Sequence, residues 1–288
     1  MTASAITHPE KVLFPEEGIT KGELAAYYDA VAPLMLPHLR RRPITMERFP
    51  NGIGEPGFIQ KDVSKGFPEW LKRIEAPKKG GTVHYPLAND RRSLQWLANQ
   101  NAITLHVWPS RTPRLDRPDV CVLDLDPSRD EPEVLREAML AMKIALDELG
   151  HASWVKTSGS KGFHVVVPMP ARATFEDSST LANRVAGILV EQHPTTLTQE
   201  FAKADRGQRI FIDTGRNRPG ATFAAAYTVR PKPGAPVSAP CTWEEIENDA
   251  VRPQTFTLRT MAERIAAVGD LWHDLPAARS RPRRAAAR

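Results

Sequence analysis

Residues 120–126 read Val-Cys-Val-Leu-Asp-Leu-Asp, and Pro127-Ser128 follow directly. The apolar and β-branched content predicts a buried strand that the proline closes. Side chains two positions apart lie on the same face of a strand, so the carboxyl groups of Asp124 and Asp126 project together. Neighbouring carboxylates repel each other unless a cation lies between them, and hard divalent ions prefer oxygen ligands. The stretch therefore predicts either a divalent-metal site or a strand-end pair that caps the following helix.

The segments around this strand show mixed helical and extended patterns. Upstream, Thr20-Lys21-Gly22-Glu23 has the spacing of a capping box and predicts a helix over 21–36 that ends at Pro37. Downstream, an apolar stripe predicts a helix that starts at Pro132 and is capped by Gly150. Further strands are predicted over residues 153–157, 163–168, 209–213 and 222–230. Because strands and helices do not alternate regularly, the sequence predicts an α+β fold.

A second motif, Ser158-Gly159-Ser160-Lys161-Gly162-Phe163-His164, joins two of the predicted strands. Its small residues let backbone amides approach anionic oxygens, and Lys161 and His164 add charge and hydrogen-bonding groups. It is not a Walker loop, because it joins two strands and lacks the required glycine spacing. The motif predicts either an anion-binding loop or a plain hairpin turn.

A third motif is the apolar run Ile210-Phe211-Ile212, which ends in Asp213 and is followed by Arg216 and Arg230. A third acid would complete a two-metal site, and two arginines suit a triphosphate. Each piece is common in proteins, whereas the order of the three motifs along the chain is not.

Charge is unevenly distributed over the 288 residues, of which 41% are hydrophobic and 25% charged, as is ordinary for a soluble enzyme. The net charge of +5 arises in the last ten residues, which contain five arginines and no acid. The rest of the chain is neutral, so overall basicity is poor evidence for nucleic-acid binding. Within 201–232, seven basic residues stand against two acids, which predicts a phosphate-binding face or a solvated surface.

Targeting and cysteine signals are few. No apolar run approaches the roughly 18 residues of a membrane helix, and the N-terminus lacks the segments of a signal peptide. Cys121 and Cys241 are too few for a zinc cluster or a disulfide framework. The sequence therefore predicts a cytoplasmic protein with two buried thiols and no membrane partner.

The order of the three motifs resembles the archaeo-eukaryotic primase superfamily, and most of all the polymerase domain of bacterial ligase D. The resemblance spans Thr7 to Ile246 and includes the runs His-Pro-Glu-Lys-Val-Leu-Phe-Pro at 8–15 and Trp-Leu-Ala-Asn-Gln at 96–100. It implies a catalytic core of mixed and antiparallel sheets flanked by helices, with a small N-terminal α/β portion.

The resemblance also implies roles for individual residues. Asp124, Asp126 and Asp213 would hold two divalent ions, Mn²⁺ or Mg²⁺, which bridge the incoming triphosphate and the primer 3′-hydroxyl. The residues that match nucleotide-contacting positions of the family are Ser158, Lys161, His164, Arg216, Arg230 and, near the sugar, His106.

Residues that would face DNA lie in the N-terminal part. Lys11 and Lys21 match the lysines that receive the 5′-phosphate beyond a gap or break. The family often has paired aromatics where this chain has Phe58-Ile59, so Phe58 alone is the predicted stacking platform for template bases. Glu47-Arg48 stands where relatives often have consecutive basic residues, which removes one expected phosphate contact.

These implications describe an enzyme, a template-dependent nucleotidyltransferase that fills gaps and extends ends in bacterial DNA repair and prefers ribonucleotides. Its setting would be non-homologous end joining or short-gap excision repair in the nucleoid. Expected partners are gapped or broken DNA with a 5′-phosphate, NTPs or dNTPs, a DNA ligase and an end-binding Ku-type protein.

One primase-polymerase domain is expected over 1–278, with a DNA-end-binding portion at about 1–90, a catalytic core at about 91–270 and a basic disordered tail at 279–288. The chain shows no obvious ligase or nuclease domain, so it is expected to be a free-standing polymerase or an excised fragment.

Two other functions stay open. A non-catalytic module could bind 5′-phosphorylated DNA ends without synthesis. A haloacid-dehalogenase-type phosphatase is the other, because Asp124 to Ser128 loosely resembles its nucleophile motif and Gly269 to Asp274 fits its later acidic motif. Against the phosphatase, residues 258–268 have helical periodicity where that motif should follow a strand.

Overall fold

The computed structural model describes residues 6–63, 66–78 and 80–275. The strands are β1 (Val12–Phe14), β2 (Ile19–Thr20), β3 (Ile44–Arg48), β4 (Phe58–Gln60), β5 (Arg73–Lys78), β6 (Gly81–Pro86), β7 (Ala102–Val107), β8 (Ser110–Arg111), β9 (Arg114–Pro118), β10 (Val120–Asp126), β11 (Trp154–Thr157), β12 (Phe163–Pro168), β13 (Leu197–Thr198), β14 (Ile210–Asp213), β15 (Phe223–Ala224) and β16 (Pro240–Cys241). The helices are α1 (Lys21–Leu39), α2 (Arg91–Asn99), α3 (Pro132–Glu148), α4 (Phe175–Gln192), α5 (Lys203–Arg206), α6 (Trp243–Glu247) and α7 (Met261–Val268), with a 3₁₀ turn at Gly215–Asn217.

The chain forms two compact units. The first unit consists of the described residues of Met1–Pro113, Thr222–Ser238 and Phe256–Asp270, and the second of those of Arg114–Ala221, Ala239–Thr255 and Leu271–Arg288. Each unit is discontinuous in sequence. The assignment of one domain with a boundary near residue 90 stays a prediction, and the tail predicted at 279–288 lies outside the described residues.

The second unit is built on a six-stranded sheet in the order β13-β14-β10-β12-β11-β16. The pair β13 and β14 is parallel and the other neighbours are antiparallel. The central strand β10 has β12 on one side and β14 on the other, and helix α4 packs against it. The predicted α+β class with mixed and antiparallel sheets is confirmed.

Strand β10 and helix α3 form as their sequences predict. The apolar residues of β10 are buried, and the strand ends before Pro127, which cannot donate a ladder hydrogen bond. In α3, Pro132 lies in the first turn, where its missing N–H costs nothing. Gly150 follows the helix with a φ of 73°, a left-handed conformation that glycine adopts without penalty.

The first unit contains an antiparallel sheet in the order β15-β7-β3-β4 and the packed helices α1 and α2. The predicted capping box of α1 is present, because Thr20 Oγ1 accepts from Glu23 N at 3.2 Å and Glu23 Oε2 accepts from Thr20 N at 2.9 Å. The predicted end of this helix at Pro37 is wrong, since α1 continues to Leu39. Pro37 lies so near the helix end that only one backbone N–H is lost, and the burial of Leu39 stabilises the final turn.

The strand predicted over 222–230 is also mostly wrong, because β15 spans only Phe223–Ala224. Tyr227 has a φ of 67°, which turns the chain out of the extended conformation. Thr228 Oγ1 then accepts the N–H of Leu105 at 2.8 Å and takes the place of a ladder carbonyl.

Among the helices that the structure describes, none has the length and apolar composition needed to cross a membrane.

Candidate active site

Four ionisable residues form one row across the sheet of the second unit. Lys156 on β11 is directly opposite His164 on β12, His164 is opposite Asp124 on β10, and Asp124 is opposite Asp213 on β14. Residues directly opposite one another in antiparallel strands have side chains on the same face. The sheet register therefore aligns two of the predicted carboxylates, which are 89 positions apart in sequence, with the histidine of the second motif.

Arg216 joins the two carboxylates. Its Nη2 lies 3.3 Å from Asp124 Oδ2 and 3.1 Å from Asp213 Oδ2. Asp213 Oδ1 also accepts the N–H of Gly215 at 2.8 Å, which fixes the start of the 3₁₀ turn that positions the arginine. The side chains of Asp124 and Asp213 are 14% and 17% exposed. Two nearly buried acids thus share the positive charge of Arg216, and a bound metal ion would balance their negative charge in the same way.

Burial raises the pKa of the Asp124 carboxyl from 3.8 to about 6. The positive charge of Arg216 opposes this shift, while the charges of Asp213 and Asp126 add to it. Acids crowded into a nearly buried position hold their negative charge at a cost, so a cation that binds there is strongly favoured.

The metal-free protein is expected to lose stability as the pH rises through about 6. Because the folded-state pKa of Asp124 is raised, the folded state binds a proton that the unfolded state releases above its own pKa near 3.8. Replacing Asp124 with asparagine removes this cost, so the stability of Asp124→Asn relative to the natural chain should be greater at pH 8 than at pH 4, by about 2–3 kcal/mol. Urea unfolding in EDTA at both pH values measures the difference, and equal relative stabilities would contradict it.

Asp126 has a different neighbour. Its carboxylate is 49% exposed, and Oδ2 lies 3.6 Å from Nη1 of Arg206, which stacks over the Phe211 ring. Among the described residues, no group of three or more His, Cys, Asp or Glu side chains is arranged to hold a metal ion. The structure thus brings Asp124 and Asp213 together through Arg216, whereas Asp126, on the same strand face as Asp124, is paired with Arg206.

The loop between β11 and β12 is a tight hairpin turn. Ser158 Oγ accepts the N–H groups of Ser160 and Gly162, both at 3.1 Å, and Ser158 N donates to the Gly162 carbonyl at 2.9 Å. The hairpin geometry predicted for this motif is confirmed, and its anion-binding role stays a prediction. Lys161 is exposed and lines a cavity of about 500 Å³ together with Arg129 and Arg252.

Asn217 supports the central strand. Its Oδ1 accepts the N–H of Val122 at 2.8 Å, and its Nδ2 donates to the Val122 carbonyl at 2.7 Å. Ser178 Oγ also donates to Asn217 Oδ1 at 3.1 Å. The fully buried side chain thus makes the hydrogen bonds that a neighbouring strand would make beyond the end of β14. It also fixes the turn that contains Arg216.

Asn217→Ala is expected to lower the free energy of unfolding by about 2–4 kcal/mol, because it leaves the buried N–H and carbonyl of Val122 unpaired. Equilibrium unfolding in urea measures the change. Asn248, which is exposed at the end of α6, provides the control, and its alanine variant should stay within about 0.5 kcal/mol of the natural chain. Similar effects of both substitutions would contradict the role of Asn217.

In the first unit, His106 and Arg230 lie near the same acid. His106 Nε2 is 3.4 Å from Glu47 Oε2, and both side chains are mostly buried. Burial alone would raise the pKa of Glu47, but the hydrogen bond and charge of His106 and the charge of Arg230 outweigh it and hold the pKa below its ordinary value. An acid at this position, where the family often has a base, is thus compensated by these two neighbours.

The predicted DNA-facing residues also lie together in the first unit. Lys21 N donates to the Lys11 carbonyl at 2.8 Å, and Lys21 Nζ donates to Thr7 Oγ1 at 3.0 Å. Burial lowers the pKa of Lys21, and the positive charges of Lys11 and Arg48 lower it further. The Arg48 guanidinium lies 5.3 Å from the centre of the Phe58 ring, which is 46% exposed. The negative charge of Glu10 opposes the lowering of the Lys21 pKa, and an anion bound beside Lys21 would oppose it in the same way.

Three residues that contact or support the acids of the site were not predicted as site residues from the sequence. Asn217 follows Arg216, but nothing in the sequence shows that its amide pairs with a strand 95 positions away. Arg206 belongs to the basic stretch at 201–232, whose residues divide between the two units at position 222. For Lys156 the sequence offers one indication, because a charged residue is unusual inside the apolar strand that precedes the loop motif.

An antiparallel sheet that aligns paired acids with a histidine, next to a tight serine- and glycine-rich loop, is typical of the primase-polymerase class of nucleotidyltransferases. The family model described as "LigD, primase-polymerase domain" matches residues 20–272. The chain belongs to this family. The phosphatase alternative is thereby excluded, in agreement with the helix α7 found over Met261–Val268.

Curated relatives and a solved structure agree with this membership. The chain is 34% identical over 275 residues to the multifunctional non-homologous end joining protein LigD of Mycolicibacterium smegmatis, covering 94% of this chain and 36% of the relative. It is 33% identical to the protein of the same description from Pseudomonas aeruginosa, covering 96% of this chain and 33% of the relative. The chain thus spans about a third of the length of these relatives.

One similar solved structure is the polymerase domain of Mycobacterium tuberculosis ligase D in complex with DNA. It superposes with a TM-score of 0.89 at 33% sequence identity, and the match covers 95% of this chain and 98% of that chain. A match over nearly the whole of both chains supports the same fold throughout.

Proposed function

We propose that this chain is a template-directed nucleotidyltransferase that fills gaps and extends broken DNA ends with the help of two divalent metal ions. The observation that carries the proposal is the alignment of His164, Asp124 and Asp213 across three neighbouring strands, with both acids sharing Arg216. Nearly buried carboxylates held in register by a sheet are a rigid oxygen-ligand set, which suits Mg²⁺ or Mn²⁺.

The three aspartates are the proposed metal ligands. Bound divalent ions would neutralise the triphosphate and activate the primer 3′-hydroxyl. Asp124 and Asp213 already balance a cation, and Asp126 joins them when its carboxylate leaves Arg206. Arg216, released from the acids, is placed to pair with triphosphate oxygens, which its planar guanidinium can bind with two parallel hydrogen bonds.

Further residues are proposed to bind the nucleotide. In the second unit, Ser158 orders the hairpin loop and Lys161 supplies an exposed ammonium for the phosphates. His164 lies against Asp124, with Nε2 3.4 Å from Asp124 Oδ1, and its imidazole is proposed to contact the phosphates. In the first unit, Arg230 is proposed for the phosphates and His106, held by Glu47, for the sugar. A preference for ribonucleotides is part of the proposal, since the family resemblance implies it.

Lys11 and Lys21 are proposed to bind the 5′-phosphate of the downstream strand, and Phe58 to stack on a template base. Support comes from the cluster of cations around Lys21 and from the position of Lys21 in the first turn of α1, where the helix dipole also favours an anion. Phe58 lies on β4 at the edge of its sheet and is half exposed, as a stacking platform must be.

Replacing Lys11 and Lys21 together with alanine is expected to reduce the preference for a 5′-phosphorylated gap over an unphosphorylated one by roughly 100-fold or more, since each of the two lost charge-assisted hydrogen bonds costs about 1.5–3 kcal/mol. Gap-filling rates on the two substrates measure the preference. Lys72→Ala removes an exposed lysine of the same unit and should leave the preference unchanged. Equal losses on both substrates would count against a phosphate-binding role.

The cellular setting is proposed from the relatives, whose names describe non-homologous end joining. End joining with a ligase and an end-binding Ku-type protein is the proposed pathway, and short-gap excision repair is the second candidate. Both place the protein in the cytoplasm with the nucleoid.

A primer-extension assay on a duplex with a one-nucleotide gap and a 5′-phosphate tests the proposed activity. The template base in the gap is varied, and ribo- and deoxynucleotides are supplied separately with Mn²⁺. We expect incorporation of the complementary nucleotide, faster with ribonucleotides. Tight gap binding without extension would favour the non-catalytic end-binding module, and incorporation that ignores the template base would exclude templated synthesis.

A further inference from the structure

Lys156 is a lysine without solvent exposure in the middle of strand β11. Its Nζ lies 2.8 Å from His164 Nδ1, and His164, itself 4% exposed, has Nε2 at 3.4 Å from Asp124 Oδ1. The register of the sheet places these three side chains side by side on one face. A charged group is expensive to bury, so a lysine at this position requires a compensating role.

With Lys156 charged and His164 neutral, the two contacts place the proton of the histidine. An ammonium group has three donors and no acceptor, so Lys156 donates and His164 Nδ1 accepts. A ring nitrogen that accepts a hydrogen bond carries no proton, and the proton of the neutral imidazole is therefore on Nε2. That N–H lies on the side of Asp124 Oδ1, which is 3.4 Å from Nε2, and is placed to donate to it.

We infer that Lys156 is a positioning residue for the metal site, which locks His164 as the Nε2–H tautomer and thereby orients the carboxylate of Asp124. With Oδ1 held by His164, Asp124 Oδ2 is the oxygen that faces Arg216, and it is the oxygen left to face a metal ion. The inference rests on the proposed function, because it concerns the same carboxylates. It adds a residue from a strand that holds no metal ligand, two strands away from Asp124 in the sheet.

Lys156→Met tests the inference, because methionine keeps much of the side-chain volume and removes the donor. The tautomer of His164 is measured in a long-range ¹H–¹⁵N spectrum of metal-free protein labelled with ¹⁵N-histidine. The signal is assigned among the eight histidines by its loss in His164→Gln. We expect the natural chain to show a protonated Nε2 and an unprotonated Nδ1, and the variant to lose this fixed pattern.

The affinity of the variant for Mn²⁺, or its rate of primer extension in Mn²⁺, should also be roughly 10- to 100-fold lower, as is usual when a residue that orients a metal ligand is removed. Lys143→Met, which changes a partly exposed lysine on α3, should alter neither measurement. A protonated Nδ1 in the natural chain overturns the inference, as does an unchanged tautomer in Lys156→Met.

The spectrum of the natural chain can overturn the inference even if Lys156→Met does not fold. The two proposals also fail separately. A natural chain that has the expected tautomer but extends no primer contradicts the proposed function, while one that extends primers with a protonated Nδ1 contradicts only the role of Lys156.

Discussion

Asp124→Asn is expected to reduce templated nucleotide incorporation on the order of 10³-fold, because a metal ion at the reacting phosphate supplies several kcal/mol of transition-state stabilisation and each 1.36 kcal/mol corresponds to a factor of ten. Asparagine keeps the size of the side chain and one oxygen, and it loses the charge. The loss should fall on the rate of the chemical step, since Lys11, Lys21 and Phe58 belong to the first unit and their DNA contacts should be unaffected. Single-turnover extension of a gapped duplex in Mn²⁺ measures the rate, and band-shift titration measures DNA affinity.

Asp116→Asn is the matched control. Asp116 lies on β9 in the same unit, is 76% exposed and pairs with Arg117 at 3.4 Å. Its substitution should change the extension rate less than about twofold, because an exposed ion pair contributes little. Retention of more than a tenth of the natural rate in Asp124→Asn would show that this carboxylate does not hold the metal.

Gly162→Ala should disrupt the site without touching an ionisable residue. A Cβ at this position would lie 1.7 Å from the carbonyl oxygen of Leu125 and 3.1 Å from Pro127 Cδ. The clash is with backbone, so β10 and β12 must move apart where Leu125 separates Asp124 from Asp126. A shift of about 1 Å at reacting groups costs on the order of 10²-fold in rate, and overpacking costs about 1–3 kcal/mol of stability or more.

Gly187→Ala controls for the change from glycine to alanine. Gly187 lies inside α4, and a Cβ there meets nothing within 4 Å. This variant should be more stable by about 0.5–1 kcal/mol, since alanine favours the helix, and its extension rate should be natural. If Gly162→Ala also keeps the natural stability and rate, the close approach of the loop to β10 has no functional consequence.

Local patterns explain why much of the site could be predicted from the sequence. The bounds of β10 follow from a stretch of mostly apolar and β-branched residues closed by Pro127, and the capping box of α1 follows from Thr20 and Glu23. Both signals act over a few residues, where sidechain chemistry determines the backbone. The predicted grouping of Asp124 with Asp213 depended instead on the family resemblance, since only strand pairing brings them opposite each other.

The errors and omissions have long-range causes. The strand predicted over 222–230 is cut short at Tyr227, where the backbone turns. The Tyr227 hydroxyl donates to Asp270 Oδ1, a residue of the same unit. Tyr27 of α1 donates to the Tyr227 carbonyl at 2.8 Å, a contact between residues 200 positions apart. The partners of Lys156 and Asn217 likewise lie on other strands, so no local pattern in the sequence shows what these side chains do.

Asp124, Asp126 and Asp213 are proposed to hold the catalytic metal ions. The most direct measurement is a crystal structure of the protein with Mn²⁺, a gapped duplex and a non-hydrolysable nucleoside triphosphate, with manganese located by anomalous diffraction. We expect manganese peaks between the three carboxylates, with Arg216 released from Asp124 and Asp213 and turned to the triphosphate. Manganese bound elsewhere, while Arg216 still joins the two acids, would contradict the account.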